Sequence, residues 1–349
     1  MNLGIFLSPG ESISSMKKTG QDVRFIELYL KIYAKKFEKV YLFSYVAEKP
    51  KLPKNIILVS NKTRLPRLVY ALLLPFVNKQ ALQKCDVIRG FGLASSLSTI
   101  LTNRPFVFNW AYDYIHSVKI EKKFWYIPLY YLLEKIAFLK AKRVLIATVE
   151  KFKKCKGGKF IYLPNGVDVS LFKGSEITGS GAVFVGRLEK QKNLFFLIDS
   201  ISKLKKPEID FIGGGSHKFE LEKYAIGKKV VLRIIPSVPN SKLPNLLKKY
   251  SIFTLPSFSE GSPKALLEAM SLGLIPVVTN FRTAKEVVKD DENGLIVNYN
   301  AQEFADKIKF LMKNKNARAR FSQAAVRTIK RDFDQRKLIS KEVSILKNA

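Results

Sequence analysis

Short apolar runs recur along the chain, spaced widely enough to leave room for a helix between most of them. Leu3 to Leu7, Val40 to Tyr45, Ile56 to Ser60, Val87 to Arg89, Pro105 to Asn109 and Val144 to Ala147 predict buried strands. Amphipathic stretches such as Val23 to Phe37 and Tyr126 to Leu139 predict helices among them. Strands that are apolar on both faces and alternate with helices predict a parallel sheet covered on both sides. The pattern restarts after a segment rich in turn residues, Leu163-Pro-Asn-Gly-Val-Asp168 and Gly174 to Gly181, which reads as a linker. Beyond it Ala182 to Val185, Ile209 to Ile212, Val230 to Ile234, Ile252 to Leu255, Ile275 to Val278 and Leu295 to Val297 repeat the alternation. Ala301 to Asn348 reads as helical with one break around Asn314 to Asn316. The predicted fold class is therefore α/β, with two doubly wound halves, 1–168 and 169–330, and a last helix over about 331–349 returning to the first half. Ligands of such sheets bind at the carboxyl ends of the strands, so two halves facing across a cleft would put the chemistry there.

Composition narrows the class without changing this picture. The chain has 349 residues, 47% hydrophobic and 26% charged, which suits two globular domains and excludes wholesale disorder. Cys85 and Cys155 are too few and too far apart for a disulfide framework or a zinc knuckle, and a reducing cytoplasm is the expected setting. The N-terminus shows no basic leader. The windows Leu68 to Val77 and Phe124 to Leu139 are too short, or too interrupted by Pro128, Glu134 and Lys135, to span a bilayer.

Charge adds a question about partners. The net charge is +32, from 61 basic and 29 acidic residues, and a field of that sign gathers anions. A nucleic-acid binder would interleave basic patches with base-stacking aromatics, whereas the aromatics here mostly follow core strands, so no nucleic acid is expected. Basic charge beside the apolar stretches Leu65 to Val77 and Phe124 to Tyr131 suits a protein resting on the anionic inner face of a membrane, and equally helices buried in the first half.

Candidate chemistry concentrates between residues 256 and 279. There a strand leads through Pro256-Ser-Phe-Ser-Glu260-Gly261-Ser262-Pro263-Lys264 into a helix and the next strand. Ser262 as N-cap and Pro263 as first helical residue would aim free backbone N–H groups at the strand ends, an anion site. Glu260 lies just outside the helix start and Glu268 about 7.5 Å along its axis, at about 1.5 Å per residue, so a diphosphate fits between their reaches. On that geometry Glu260 can accept from sugar hydroxyls and Glu268 from a ribose diol. A lone glutamate pair is more often a solvated helix end. After the strand ending at Val185, Gly186 and Arg187 are followed by Lys192, two cations able to hold phosphate and the charge that builds on a leaving diphosphate. Gly213 and Gly214, with Gly215, would let backbone approach a nucleotide closely, or form a plain turn.

These motifs carry a resemblance. Glu260 and Glu268 with seven residues between them, together with Gly261, Pro263, Leu267, Ala269, Met270, Gly273 and Pro276, resemble the hallmark of the family 4 retaining glycosyltransferases. Gly186-Arg187-Leu188 with Lys192-Asn193, and the turn Pro164-Asn165-Gly166-Val167-Asp168, are similar to further segments of that family. The resemblance implies a GT-B fold of two Rossmann-like domains, acceptor-binding then donor-binding. It further implies a nucleotide-diphosphate sugar donor, Glu260 on the donor sugar and Glu268 on the ribose. The expected reaction is transfer, with retention, to a hydroxyl of a glycan or lipid-linked acceptor in cell-envelope polysaccharide or glycolipid synthesis. Arg187, Lys192 and Glu260 are the expected catalytic residues. Gly186, Gly213, Gly214, Gly261, Ser262, Pro263, Lys264 and Glu268 would bind the donor, and no metal cofactor is expected. The Asp-x-Asp of metal-dependent transferases occurs only as Asp332-Phe-Asp334, in the basic C-terminal stretch.

The first half departs from the family pattern. Thr19-Gly20 stands where the family often has Gly-Gly, and Ala111 where it commonly has a His, which leaves Gly20, Asp113 and His116 as acceptor-side candidates. A sugar-nucleotide epimerase of the same architecture and a non-enzymatic basic nucleic-acid binder stand as alternatives. Donor consumption without acceptor would mark the first, and salt-sensitive retention on RNA or DNA the second.

Overall fold

A computed structural model describes the chain except residues 19–20, 64, 111–114, 116–117, 119–123 and 175–178. It contains two compact units, Met1–Pro164 with Arg336–Ala349, and Asn165–Gln335.

The first unit is built on strands β1 (Leu3–Phe6), β2 (Val40–Ser44), β3 (Ile56–Ser60), β4 (Val87–Gly90), β5 (Phe106–Trp110), β6 (Arg143–Ile146) and β7 (Phe160–Tyr162). They form one sheet in the order β3-β2-β1-β4-β5-β6-β7, every pairing parallel. β1, β2 and β4 are buried along their whole length, as continuous apolar runs require in a sheet covered on both faces. β7 escapes the apolar-run reading because it has only three half-buried residues and follows Lys156-Gly-Gly-Lys159, which reads as a turn. The helical stretch predicted from Val23 contains a π-helical segment, Phe25–Leu30, between Asp22–Arg24 and Lys31–Lys36.

The last helix, Gln335–Lys347, belongs to this unit through buried Ile339, Val343 and Leu346. Glu342 on it forms a buried ion pair with Arg89 of β4 and accepts from the Tyr33 hydroxyl at 3.0 Å. Arg89 also donates to the Gly90 carbonyl and, at 3.1 Å, to Asn109 Oδ1, which accepts from the Gly92 N–H at 2.7 Å. Burial pulls the Arg89 guanidinium down, but the Glu342 carboxylate outweighs it and raises its pKa above the usual arginine value.

The second unit repeats the design with β8 (Ala182–Val185), β9 (Glu208–Ile212), β10 (Val231–Ile235), β11 (Ile252–Leu255), β12 (Ile275–Thr279) and β13 (Leu295–Val297). Their order is β10-β9-β8-β11-β12-β13, again all parallel. The helices Ala301–Lys313 and Lys315–Asp332 follow, each N-capped by an asparagine: Asn300 accepts from Glu303 N–H and Asn314 from Ala317 N–H. A second break falls at Phe333–Asp334, within a few residues of the start expected for the last helix, where the chain pairs with Val167. Asp332 forms an ion pair with Arg331, and the backbone of Asp334 joins that bridge. Gly166 is not among the positive-φ glycines; the turn after it is held by Asp168 Oδ1, which accepts from Ser170 and Leu171.

In each sheet the strand order reverses once, between β1 and β4 and between β8 and β11. Loops leaving neighbouring strands part at such a point and open a crevice for a ligand.

Candidate active site

The β8/β11 switch point of the second unit carries two loops, residues 186–193 after β8 and 256–263 after β11. They are laced together. Phe258 N–H donates to the Gln191 carbonyl at 3.0 Å, and Gln191 Nε2 to the Ser259 carbonyl at 2.6 Å. Lys192 Nζ lies 2.5 Å from Glu260 Oε1, and the Ser257 hydroxyl donates to the same oxygen. From the far side, Thr279 and Tyr299 donate to the Ser257 carbonyl and Thr283 to the Glu260 carbonyl. Glu260 is thus no solvated helix-end carboxylate: its side chain is 9% exposed and held by an ammonium and a hydroxyl.

The helix after this loop is Lys264–Leu272, one residue shorter at its start than predicted. Pro263, with ψ 87°, stands outside it at the cap position, and its carbonyl accepts from the N–H groups of Leu266 and Leu267. Ser262 makes no capping bond because the cap position has passed to Pro263. The loop Gly261-Ser262-Pro263 still delivers the helix N-terminus to the strand ends, with Lys264 as first helical residue. The other end closes on Gly273, φ 94°, a left-handed cap.

Glu268 is 6% exposed, and its Oε1 accepts from Asn240 Nδ2 at 3.0 Å. Asn240 lies in the loop after β10 and was not singled out in the sequence; the one available signal was a proline-flanked polar segment, Pro236-Ser-Val-Pro-Asn240, at a strand exit. Gln191, Thr283 and Tyr299 were missed because each acts through a partner distant in sequence, whereas Ser257 stands only three positions before the glutamate it donates to. Arg187 makes none of these bonds and lies exposed at the start of its loop. Asn193 takes a left-handed conformation, φ 54°, that ends the turn Lys190–Lys192 and starts the helix Leu194–Ile201.

The glycine turn after β9 packs against the β8 loop itself. Gly186 N–H donates to the Ile212 carbonyl and Leu188 N–H to the Gly214 carbonyl. Gly213 has φ +151°, and a Cβ there would fall 1.9 Å from the Gly186 carbonyl oxygen. A Cβ on Gly215 would fall 2.4 Å from that of Leu188, whereas Gly214 faces open space. Gly213 is therefore required by protein backbone, whereas a side chain at Gly214 would meet nothing within 4 Å. Beside this turn the Ser216 N–H and hydroxyl both donate to Glu189, holding its carboxyl below the usual range. A cavity of about 390 Å³ opens here, lined by Glu189, Asn193, Phe195, His217 and Phe258 among others.

Gly20, Asp113 and His116 lie outside the described residues. Among the described residues no three His, Cys, Asp or Glu side chains converge as metal ligands, and no helix is long and apolar enough to cross a membrane.

A switch point whose loops join a cation, a carboxylate and a helix N-terminus matches a known family over residues 178–328, described as glycosyl transferases group 1. The second unit is a glycosyl transferases group 1 domain. Over 174 residues the chain is 30% identical to the putative teichuronic acid biosynthesis glycosyltransferase TuaC of Bacillus subtilis, covering 46% of this chain and 43% of that protein. Over 162 residues it is 32% identical to an Escherichia coli UDP-Gal:alpha-D-GlcNAc-diphosphoundecaprenol alpha-1,3-galactosyltransferase, covering 41% of this chain and 42% of that one. The chain thus matches less than half the length of these curated relatives. Among solved structures, Anabaena HepE in complex with UDP and glucose superposes with a TM-score of 0.74 at 15% identity, covering 100% of both chains. That likeness is one of fold, and the glycosyl transferases group 1 domain here sits in a chain with the GT-B fold of two Rossmann-like units.

Proposed function

We propose that the protein is a retaining glycosyltransferase that moves a sugar from a nucleotide-diphosphate sugar to a hydroxyl of a glycan or lipid-linked acceptor, in envelope polysaccharide or glycolipid synthesis on the cytoplasmic side of a membrane. The observation that carries this reading is the Lys192–Glu260 contact at the β8/β11 switch point, beside the N-terminus of Lys264–Leu272. A relative named for UDP-galactose transfer and a neighbour in complex with UDP and glucose support a nucleotide-diphosphate sugar as donor.

In this reading the diphosphate lies against the helix N-terminus and the Gly261-Ser262-Pro263 loop, with Gly214 leaving room for it and Gly186, whose Cβ direction is filled by the Phe184 ring, holding the turn beside it. Lys192 gives one of its three N–H bonds to Glu260 and keeps two for phosphate oxygens. Arg187 supplies a second, exposed cation. Glu260 accepts from hydroxyls of the donor sugar, and Glu268, fixed by Asn240, accepts from the ribose diol. The bond from the anomeric carbon to the diphosphate breaks, its electron pair passes to the leaving oxygen, and Arg187 and Lys192 stabilise the charge that develops there. The acceptor oxygen attacks the same face of the sugar and its proton passes to the departing phosphate. Configuration is retained without an enzyme nucleophile or a metal. The acceptor side falls to the first unit, with Gly20, Asp113 and His116 as candidates.

A thermal-shift panel of nucleoside diphosphates and nucleotide sugars tests the donor half, since a ligand bound only by the folded state raises apparent stability. Turnover of Arg187→Ala tests the chemistry. Donor binding with turnover reduced at least about 100-fold is expected; unchanged turnover sinks the mechanism.

A further inference from the structure

The first unit carries an apolar surface that its own fold leaves uncovered. In the helix Arg67–Val77, Tyr70, Ala71, Leu74 and Pro75 face inward, while Leu68, Val69, Leu72, Leu73, Phe76 and Val77 are exposed. The outward face is thus apolar throughout, the reverse of what a surface helix in water presents. On the helix Ile127–Lys140 and the turn Phe124–Tyr126 before it, Phe124, Trp125, Tyr126, Leu129, Tyr131 and Leu132 are exposed as well, Trp125 by 71%. The two helices flank a short third one, Ser96–Thr99. Ser98 Oγ donates to the Ala71 carbonyl at 2.6 Å on one side, and Lys140 Nζ to the Ile100 carbonyl at 3.1 Å on the other. Two exposed apolar faces therefore lie on one layer of the unit, and such contiguity marks an interaction surface.

Charge and residue type favour one occupant. Exposed cations border both helices: Lys62, Arg67 and Lys79 around the first, Lys135, Lys140 and Lys142 on and just beyond the second. Glu134 is the single carboxylate on the two helices. Lys135 lays its ammonium over the Tyr131 ring, 4.6 Å from the centroid. Tryptophan and tyrosine beside lysines that run along apolar surface are what the headgroup level of a bilayer selects, where one end of a side chain is apolar and the other wet. A second copy of this chain would instead bring a cationic rim against a cationic rim, in a protein of net charge +32.

We infer that the exposed face of Arg67–Val77 and Phe124–Lys140 docks the protein on an anionic lipid leaflet, the apolar side chains entering the interface and the bordering lysines and arginine pairing with lipid phosphates. The surface lies wholly in the first unit, so the inference stands apart from the donor reading, although it would bring a lipid-linked acceptor within reach of the same chain.

Flotation of the full chain with vesicles of phosphatidylcholine alone, and with 30% phosphatidylglycerol, tests it. Binding to the mixed vesicles should exceed binding to neutral ones at least about fivefold, the worth of one cation near an anionic surface, and should weaken as salt is raised. Tryptophan emission should shift to the blue on the mixed vesicles. The variant Leu72→Glu/Phe76→Glu, which alters exposed positions only, should lose vesicle binding at least about tenfold while its thermal shift with UDP stays at the parent value. Vesicle binding independent of phosphatidylglycerol, unchanged binding of the variant, or a dimer in light scattering that the variant dissolves would each overturn the inference. Loss of the UDP shift in the parent protein would count against the donor reading alone.

Discussion

Lys192 and Glu260, 68 positions apart in the sequence, meet at 2.5 Å where the loops after β8 and β11 come together. Their side chains are 15% and 9% exposed, so the pair is screened far less than a surface ion pair.

Replacing Lys192 by Met should leave Glu260 with the Ser257 hydroxyl as its remaining side-chain donor and cost about 1–3 kcal/mol of second-unit stability. Transfer should fall at least about 100-fold. Glu260→Gln should lose transfer yet keep its stabilisation by UDP, which lacks the sugar that Glu260 is proposed to hold. Thermal shifts and turnover of both variants separate the roles; a Gln variant that no longer responds to UDP would move Glu260 onto the nucleotide.

Gly213 and Gly214 are neighbours with opposite expectations. Gly213→Ala drives a Cβ to 1.9 Å from the Gly186 carbonyl oxygen at φ +151°, and should cost at least about 1–3 kcal/mol or prevent the second unit from folding. Gly214→Ala meets nothing within 4 Å and should fold normally while weakening donor binding. Circular dichroism melts with and without UDP make the comparison; equal melting temperatures for the two variants would contradict the packing described.

The Arg89–Glu342 pair should behave as a buried charge pair does. Arg89→Met strands the Glu342 carboxylate with the Tyr33 hydroxyl and should destabilise the first unit by about 3–5 kcal/mol, while Arg89→Met/Glu342→Leu should recover most of the loss. Both tryptophans, Trp110 and Trp125, belong to the first unit, so fluorescence during urea unfolding reports on that unit alone. A double variant no better than the single one would show that the pair is needed as such.

Thiol chemistry should follow burial. Burial pushes the Cys85 thiol up to about 12 and raises Cys155 as well, though Cys155 is only half-buried. A thiol reacts as thiolate, so burial slows both, and the less buried Cys155 should react first as pH rises. Iodoacetamide labelling at pH 8 to 9, read by mass spectrometry, should modify Cys155 and reach Cys85 only in urea. Equal rates in the folded protein would contradict the buried position of Cys85.

Much of this was legible in local pattern. Apolar runs located twelve of the thirteen described strands because a strand buried on both faces needs no partner information to be recognised. The glutamate pair at 260 and 268 was legible for a similar reason, since a strand, a loop and one helix carry both. Features that depend on distant partners were not. Nothing near Arg89 announces that its charge is met 253 residues later, and nothing near Asn240 announces that it holds Glu268. The glycine turn at 213 was legible as a turn, but only the packed backbone of Gly186 explains why that position admits no side chain.

The return of the last helix to the first unit has a consequence for how the protein is made. The second unit is threaded into the first as an insertion, entered after Pro164 and left before Arg336, with both passages joined through Val167 and Phe333–Gln335. During synthesis the seven strands of the first sheet emerge early, but Arg89 waits for Glu342 until the whole glycosyl transferases group 1 domain has followed. The unit whose strands emerge first is thus the one that finishes folding last, and removing only residues 336–349 should damage a sheet that lies more than 170 positions away in sequence.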